Sequence, residues 1–173
     1  MKKDEVPEVN IYSDGGANPN PGKGGFGVIL TYKKFRKELN EGYQLTTNNR
    51  MELMGVIFGL KSLKKKSMVN VYTDSRYVVD GINKGWVAKW KLKNWYRTKD
   101  QKAKNRDLWS KLLNLISKHQ EVKFHWIKGH VGHIENERCD KLATLALNGE
   151  ILQKDNGYLN DEQLSLNFET EIN

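Results

Sequence analysis

The sequence predicts an α/β layered domain on a mixed five-stranded sheet, three antiparallel meander strands followed by two parallel ones, with helices on both faces. Three observations predict this. Three short alternating segments come first, separated by turn residues. Two further alternating segments follow, each preceded by helical periodicity. The chain has 173 residues, 38% of them hydrophobic, a length that fits one domain and buries roughly 70% of the unfolded surface.

The elements follow in order. Val9–Asp14 alternates and runs into Asp-Gly-Gly, a strand entering a turn. Asn18-Pro-Asn-Pro-Gly-Lys-Gly-Gly is loop punctuation. It is no phosphate cradle, because no Lys-Ser/Thr follows and a strand comes next. Phe26–Tyr32 and Glu38–Leu45 are the next two strands, and a meander joins all three.

Thr46-Thr47-Asn48-Asn49 supplies N-cap chemistry for a helix from Arg50 to about Lys65. Its apolar residues, from Met51 and Leu53 through Leu60 and Leu63, cover a broad arc, so the helix is largely buried. The narrow remaining arc holds Glu52, Gly55, Gly59 and Ser62 and can approach another backbone closely. Met68–Asp74 is the fourth strand, and Ser75 starts a helix over Arg76–Ile82. Asp107–Lys118 repeats Trp109, Leu112, Leu113 and Ile116 at helical spacing. Val122–Lys128 is the fifth strand, Gly129-His-Val-Gly-His a loop, and Glu135–Leu147 the last helix. Parallel pairing of the last two strands requires crossovers through these helices.

The domain is expected to span 9–147. Residues 1–8 form an extension too short for a separate domain. Residues 148–173 form an acidic tail, one base against six acids, of a composition that suits disorder. It reads as a linker or as a competitor with nucleic acid for the basic stretch.

Composition narrows the function. No apolar run reaches the roughly 18 residues of a membrane span, and the charged start carries no secretory signal. One cysteine, Cys139, excludes a disulfide scaffold and a cysteine-based zinc site, and fits a reducing cytoplasm. The net charge of +8 points to a polyanionic partner. Residues 84–104 concentrate it: eight bases and one acid leave +7, interleaved with Trp86, Trp90, Trp95 and Tyr96. Lysines attract phosphates at range and flat rings lie against sugars or bases. Some of these rings are expected to pack against the core instead.

Ligand sites in such sheets lie beyond the carboxyl ends of strands. Asp14 closes the first strand and Asp74 the fourth. Glu52 sits in the first turns of the buried helix, and Asp140 near the start of the last. Taken singly, Asp14 is a turn residue, and Asp74 and Asp140 are helix-terminus acids. Glu52, an acid beside glycines on a buried helix, has no such structural role. Clustered carboxylates repel and take up protons unless cations compensate them. Oxygen-only ligands suit Mg²⁺ or Mn²⁺. Two such ions about 4 Å apart clamp the attacking and leaving oxygens of a phosphodiester displacement.

Four strings then identify a resemblance: Ser-Asp-Gly-Gly-Ala at 13–17, Thr-Thr-Asn-Asn-Arg-Met-Glu-Leu at 46–53, Tyr-Thr-Asp-Ser at 72–75, and Trp-Ile-Lys-Gly-His-Val-Gly-His-Ile-Glu-Asn-Glu-Arg-Cys-Asp at 126–140. In order and spacing they resemble bacterial-type, type 1 ribonuclease H. The resemblance implies a ribonuclease H-like fold and a metal-dependent endonuclease. It would cleave the RNA strand of RNA–DNA hybrids and leave 5′-phosphate and 3′-hydroxyl ends. It gives the metal-binding carboxylates to Asp14, Glu52, Asp74 and Asp140, holding two Mg²⁺ ions with substrate, with Mn²⁺ as a substitute. His130 takes the family's catalytic histidine, for proton transfer or for product and metal release; His133 is read as a solvated side chain.

Asn20, Thr47, Asn48, Asn49 and Arg76 match positions that contact the hybrid, Thr47 with Asn48 resembling a phosphate pocket for the DNA strand. Amide and hydroxyl groups suit a shallow minor groove. The position of Arg76 is often glutamine, and Asn18 rivals Asn20 because the first loop is less regular than the usual Asn-Pro-Gly-Pro-Gly. Residues 84–104 resemble the basic protrusion of many members, with Trp86, Lys89, Trp90, Lys91 and Lys93 as substrate contacts. A monomer is expected. Two readings compete: a non-catalytic hybrid binder, and a nuclease of the same superfamily acting on DNA.

Overall fold

The structure, a computed structural model, describes residues 6–129 and 132–161. β1 (Glu8–Ala17), β2 (Gly22–Tyr32) and β3 (Phe35–Thr46) form the expected antiparallel meander. α1 (Asn48–Lys61) leads to β4 (Met68–Thr73). α2 (Arg76–Asn83), α3 (Trp86–Leu92) and α4 (Arg106–Ile116) then lead to β5 (Glu121–Trp126), and α5 (Ile134–Leu147) closes the fold. The sheet order is β3-β2-β1-β4-β5, with β4 parallel to both β1 and β5.

Several boundaries differ from the sequence reading, β3 starting at Phe35 rather than Glu38 and β5 ending at Trp126 rather than Lys128 among them. β1 and β2 extend through the glycines expected as a loop: Gly15, Gly16 and Ala17 pair with Phe26, Gly25 and Gly24. Ladder hydrogen bonds need only backbone, so side-chain alternation misses them. α1 ends at Lys61 rather than near Lys65, because Ser62 caps it and its hydroxyl donates to the Phe58 carbonyl.

α1 and α4 pack together on one face of the sheet, and α5 covers β1, β2 and β3 on the other. Ile11, Val28, Met51, Leu53, Val56, Val71, Trp109 and Leu112 are fully enclosed between sheet and helices. Each fully buried side chain of this kind contributes about 1.5–3 kcal/mol relative to exposure. The Gly-lined side of α1 lies against β1 as expected. A Cβ on Gly59 would come within 2.7 Å of Ile11, and one on Gly55 would overlap the Ser13 hydroxyl. On the opposite face a Cβ on Gly27 would overlap the Cys139 carbonyl, so α5 rides directly on β2.

The 148–161 part of the expected acidic tail is seated on the domain. Gln153 pairs with Tyr43 of β3, Asp155 is 2% exposed, and 156–161 is helical. Composition suited this stretch to disorder, and for 148–161 that expectation is corrected; 162–173 lie outside the described residues. The specific bonds of Asp155 to Thr46 and Arg50 are not visible in composition.

Candidate active site

The site grows from strand register. β1 and β4 are parallel neighbours, and Ser13 stands opposite Thr73. Asp14 and Asp74 each follow by one residue, so both stand at the same height, where the β1–β4 pairing ends while β1 runs on to Ala17 against β2. Neighbouring strands lie about 4.8 Å apart. α1 supplies the third acid. A Cβ on Gly15 would come within 2.6–2.9 Å of the Met51–Glu52 backbone, so only glycine admits the helix at that point. Asp14, Glu52 and Asp74 each offer a carboxylate oxygen within 4.8 Å of the other two.

Asp14 is 8% exposed, and its Oδ1 accepts from the Gly15 amide at 2.7 Å. The Thr73 hydroxyl donates to Glu52 Oε2 at 3.5 Å. Burial, then the charges of Asp14 and Asp74, hold the Glu52 carboxyl well above the usual carboxylate range. Three oxygen donors that penalise each other's charge are the donor set a hard divalent cation requires. The residues present therefore fit such an ion. Gly129, after β5, closes over Asp74: a Cβ there would overlap Oδ2. Trp126 donates from Nε1 to the Asp74 carbonyl at 3.0 Å, and the Arg76 Cζ lies 3.6 Å from the Trp126 ring centroid.

An amide-rich edge flanks the carboxylates. Thr47 is the N-cap of α1, its hydroxyl accepting from the Arg50 amide. Asn48 Oδ1 accepts from the Ala17 amide at 2.7 Å, and Asn20 Oδ1 accepts from the Asn48 amide at 3.1 Å. The Asn18–Pro21 loop is thereby tied to the start of α1, with Asn20 rather than Asn18 facing it. Beside this edge lies a cavity of about 570 Å³ lined by Asn49, Tyr77, Trp90, Arg97, Gln101, Lys102, Lys104 and Asn105. A larger cleft, about 1110 Å³, lies at the far end of the sheet between Val6–Val9, Leu30–Lys37 and Ser62–Ser67, away from the carboxylates.

The RNase H family profile matches residues 6–148. Over 151 residues the chain is 56% identical to Ribonuclease H of Trichodesmium erythraeum (strain IMS101), covering 87% of this chain and 96% of that protein. It is 50% identical over 151 residues to Ribonuclease HI of Synechocystis sp. (strain ATCC 27184 / PCC 6803 / Kazusa), covering 87% of this chain and 94% of that protein. Among solved structures it is similar to LC9-RNase H1, described as a type 1 RNase H with the type 2 active-site motif. The TM-score is 0.75 at 30% identity, over 87% of this chain and 76% of that one.

This chain belongs to the RNase H family. It is a hydrolase, an endoribonuclease of a metal-dependent family that hydrolyses RNA in hybrids, and its sheet has the RNase H topology.

Of the residues expected in an RNase H site, Asp14, Glu52 and Asp74 come together, and Asp140 does not join them at the 4.8 Å spacing. Asp140 is half-buried in the second turn of α5, directly after buried Cys139. The Cys139 carbonyl sits over Gly27, the β2 partner of Asp14, so this turn lies near Asp14; burial, then the Asp14 charge, pushes the Cys139 thiol up. His130 lies outside the described residues. In the basic stretch Trp86 is 38% exposed, while Lys89, Lys91 and Lys93 project into solvent. Trp90 and Trp95 pack against the core, the bland role expected for some of these rings.

Sequence reasoning missed Arg50. It is 1% exposed and bonds Asp107 and Asp155 together. An arginine in an otherwise apolar helical pattern was the available signal.

Proposed function

We propose that this RNase H hydrolyses the RNA strand of RNA–DNA hybrids endonucleolytically by a two-metal-ion mechanism, leaving 5′-phosphate and 3′-hydroxyl ends. The observation that carries the reading is the convergence of Asp14, Glu52 and Asp74 where the parallel pairing of β1 with β4 ends. These three, with Asp140, would hold two Mg²⁺ ions, Mn²⁺ substituting. When bound, such ions lower the pKa of a nucleophilic water and neutralise charge on the leaving oxygen.

The chain's own groups do the rest. Asn20, Asn48, Asn49 and Thr47 form a short amide and hydroxyl edge that suits the minor groove of a hybrid, where 2′-hydroxyls and base edges are presented. Arg97, Lys102 and Lys104 in the adjoining cavity suit phosphates of the DNA strand. Arg76, held over Trp126 beside Asp74, suits a phosphate of the RNA strand near the cut. Trp86, Lys89, Lys91 and Lys93 grip the hybrid further out, with Trp90 anchoring their helix to the core. His130 moves a proton or helps product leave. All four carboxylates belong to one chain, so a monomer suffices. The free, buried Cys139 suits the cytoplasm.

The test is cleavage of a labelled RNA–DNA hybrid with Mg²⁺ or Mn²⁺, with analysis of the product ends. Asp14→Asn is expected to lose cleavage and keep hybrid binding. No cleavage at any divalent metal, or equally fast cutting of double-stranded DNA, overturns the reading.

A further inference from the structure

We propose that the Asp155–Arg50 ion pair is a positioning device for the substrate-binding edge, which makes 150–161 a working part of the site rather than an appended tail. This rests on the hybrid-cleaving reading above.

Arg50 is the third residue of α1, between the Thr47–Asn49 edge and Glu52. Both sides of its guanidinium are engaged by carboxylates. Nε and Nη2 donate to Asp155 at 2.6 and 2.8 Å; Nη1 and Nη2 donate to Asp107 at 2.9 and 2.7 Å. Asp155 Oδ2 also accepts from the Thr46 hydroxyl at 2.7 Å, one residue before the N-cap. Nη1 reaches Asn105 Oδ1 at 3.3 Å, and Asn105 in turn donates to the Tyr77 hydroxyl at 3.1 Å.

Asn49, Asn105 and Tyr77 all line the cationic cavity. One buried guanidinium therefore joins the end of β3, the start of α1, the start of α4 and the C-terminal segment, directly behind that cavity. Bidentate charge-assisted bonds fix orientation as well as distance. A buried ion pair adds little net stability over a well-packed apolar substitute. Orientation of the α1 start is the property this pair supplies and an apolar cluster would not.

The experiment uses the full chain carrying Asp155→Asn, with hydrogen exchange and hybrid kinetics read together. Amides 48–51 are expected to exchange about tenfold faster while those of β4 are unchanged, with KM for hybrid about tenfold higher and kcat within about twofold. Unchanged exchange at 48–51, or exchange accelerated equally across the whole domain, overturns the proposal. Thr46→Val removes only the hydroxyl from Asp155; a smaller shift in the same amides supports it even where Asp155→Asn folds poorly. Wild-type protein that neither binds nor cuts hybrid would overturn the functional reading, and exchange alone would then decide the positioning role.

Discussion

Arg76 lies over Trp126, its Cζ 3.6 Å from the ring centroid, and the same indole donates to the Asp74 carbonyl. A cation–π contact at an exposed site is worth about 0.5–1 kcal/mol. It holds the guanidinium beside the carboxylates while leaving its N–H edge available. Arg76→Ala is expected to raise KM for hybrid about three- to tenfold with little change in kcat, the pattern of lost uniform binding. Arg76→Lys should behave more like Ala than like Arg, since an ammonium lacks the planar fork. Steady-state kinetics check this; a kcat loss with KM unchanged would assign Arg76 to the chemical step instead.

Glu52 is expected to show opposite effects on stability and activity. Its carboxyl sits well above the usual range because burial and two neighbouring carboxylates oppose its charge. The folded value exceeds the unfolded one, so ionisation of Glu52 weakens the metal-free fold as pH rises above the ordinary carboxylate range. Glu52→Gln should therefore melt higher than wild type without metal at neutral pH, by about 2–4 °C per kcal/mol relieved. Activity should fall by more than about a hundredfold, the upper end for groups that merely support a metal ligand. A variant that melts lower and still cleaves would remove Glu52 from the site.

Glu38 staples β3 to α5. It accepts from Arg138 Nε and Nη2 at 3.0 and 2.8 Å, and Arg36 bonds both it and Glu135. Arg138, then Arg36, lower its pKa from 4.5 to about 2. A lowered acid contributes stability above its unfolded value and loses it as pH falls through the folded one. The contribution is therefore present above pH 4.5 and fades toward about 2. Melting temperatures across that window should fall less steeply for Glu38→Gln than for wild type. Identical slopes would mean that the staple is not formed in solution.

Replacing Lys89, Lys91 and Lys93 together with alanine should raise KM more than it lowers kcat. Each lysine that neutralises a phosphate should also flatten the log–log salt dependence of binding by roughly 0.7–0.9. Anisotropy titrations with hybrid at several salt concentrations give both quantities. Unchanged slope and KM would make α3 a solvated helix without a gripping role.

The fold class was legible because its elements have local signatures, whereas Asp14 and Asp74, taken singly, read as turn and helix-cap residues and were singled out by the resemblance. Alternation marks the strands, helical periodicity marks the helices, and Asp14 and Asp74 stand where alternation stops. Glu52 was legible as an acid among glycines on a buried helix. The strand extensions through Gly15–Ala17 and Gly22–Gly25 were not, because a ladder of backbone bonds leaves no side-chain pattern. Nor was Arg50, whose partners Asp107 and Asp155 are 57 and 105 residues away. The tail's composition suited disorder, although one of its acids, Asp155, is the buried partner of that arginine.

The sequence by itself determined which residues carry acid, amide and base, and at which strand ends and helix starts they stand, because those features depend on neighbours within a few positions. Only the tertiary structure decided that β4 lies beside β1 rather than at the other edge of the meander, in the register that levels Ser13 with Thr73. That choice brings Asp14 and Asp74 to one rim under Glu52. It depends on packing both sheet faces at once, with α1 seated over Gly15 on one side and α5 over Gly27 on the other. Contacts that close only when distant segments meet leave no period in a linear chain.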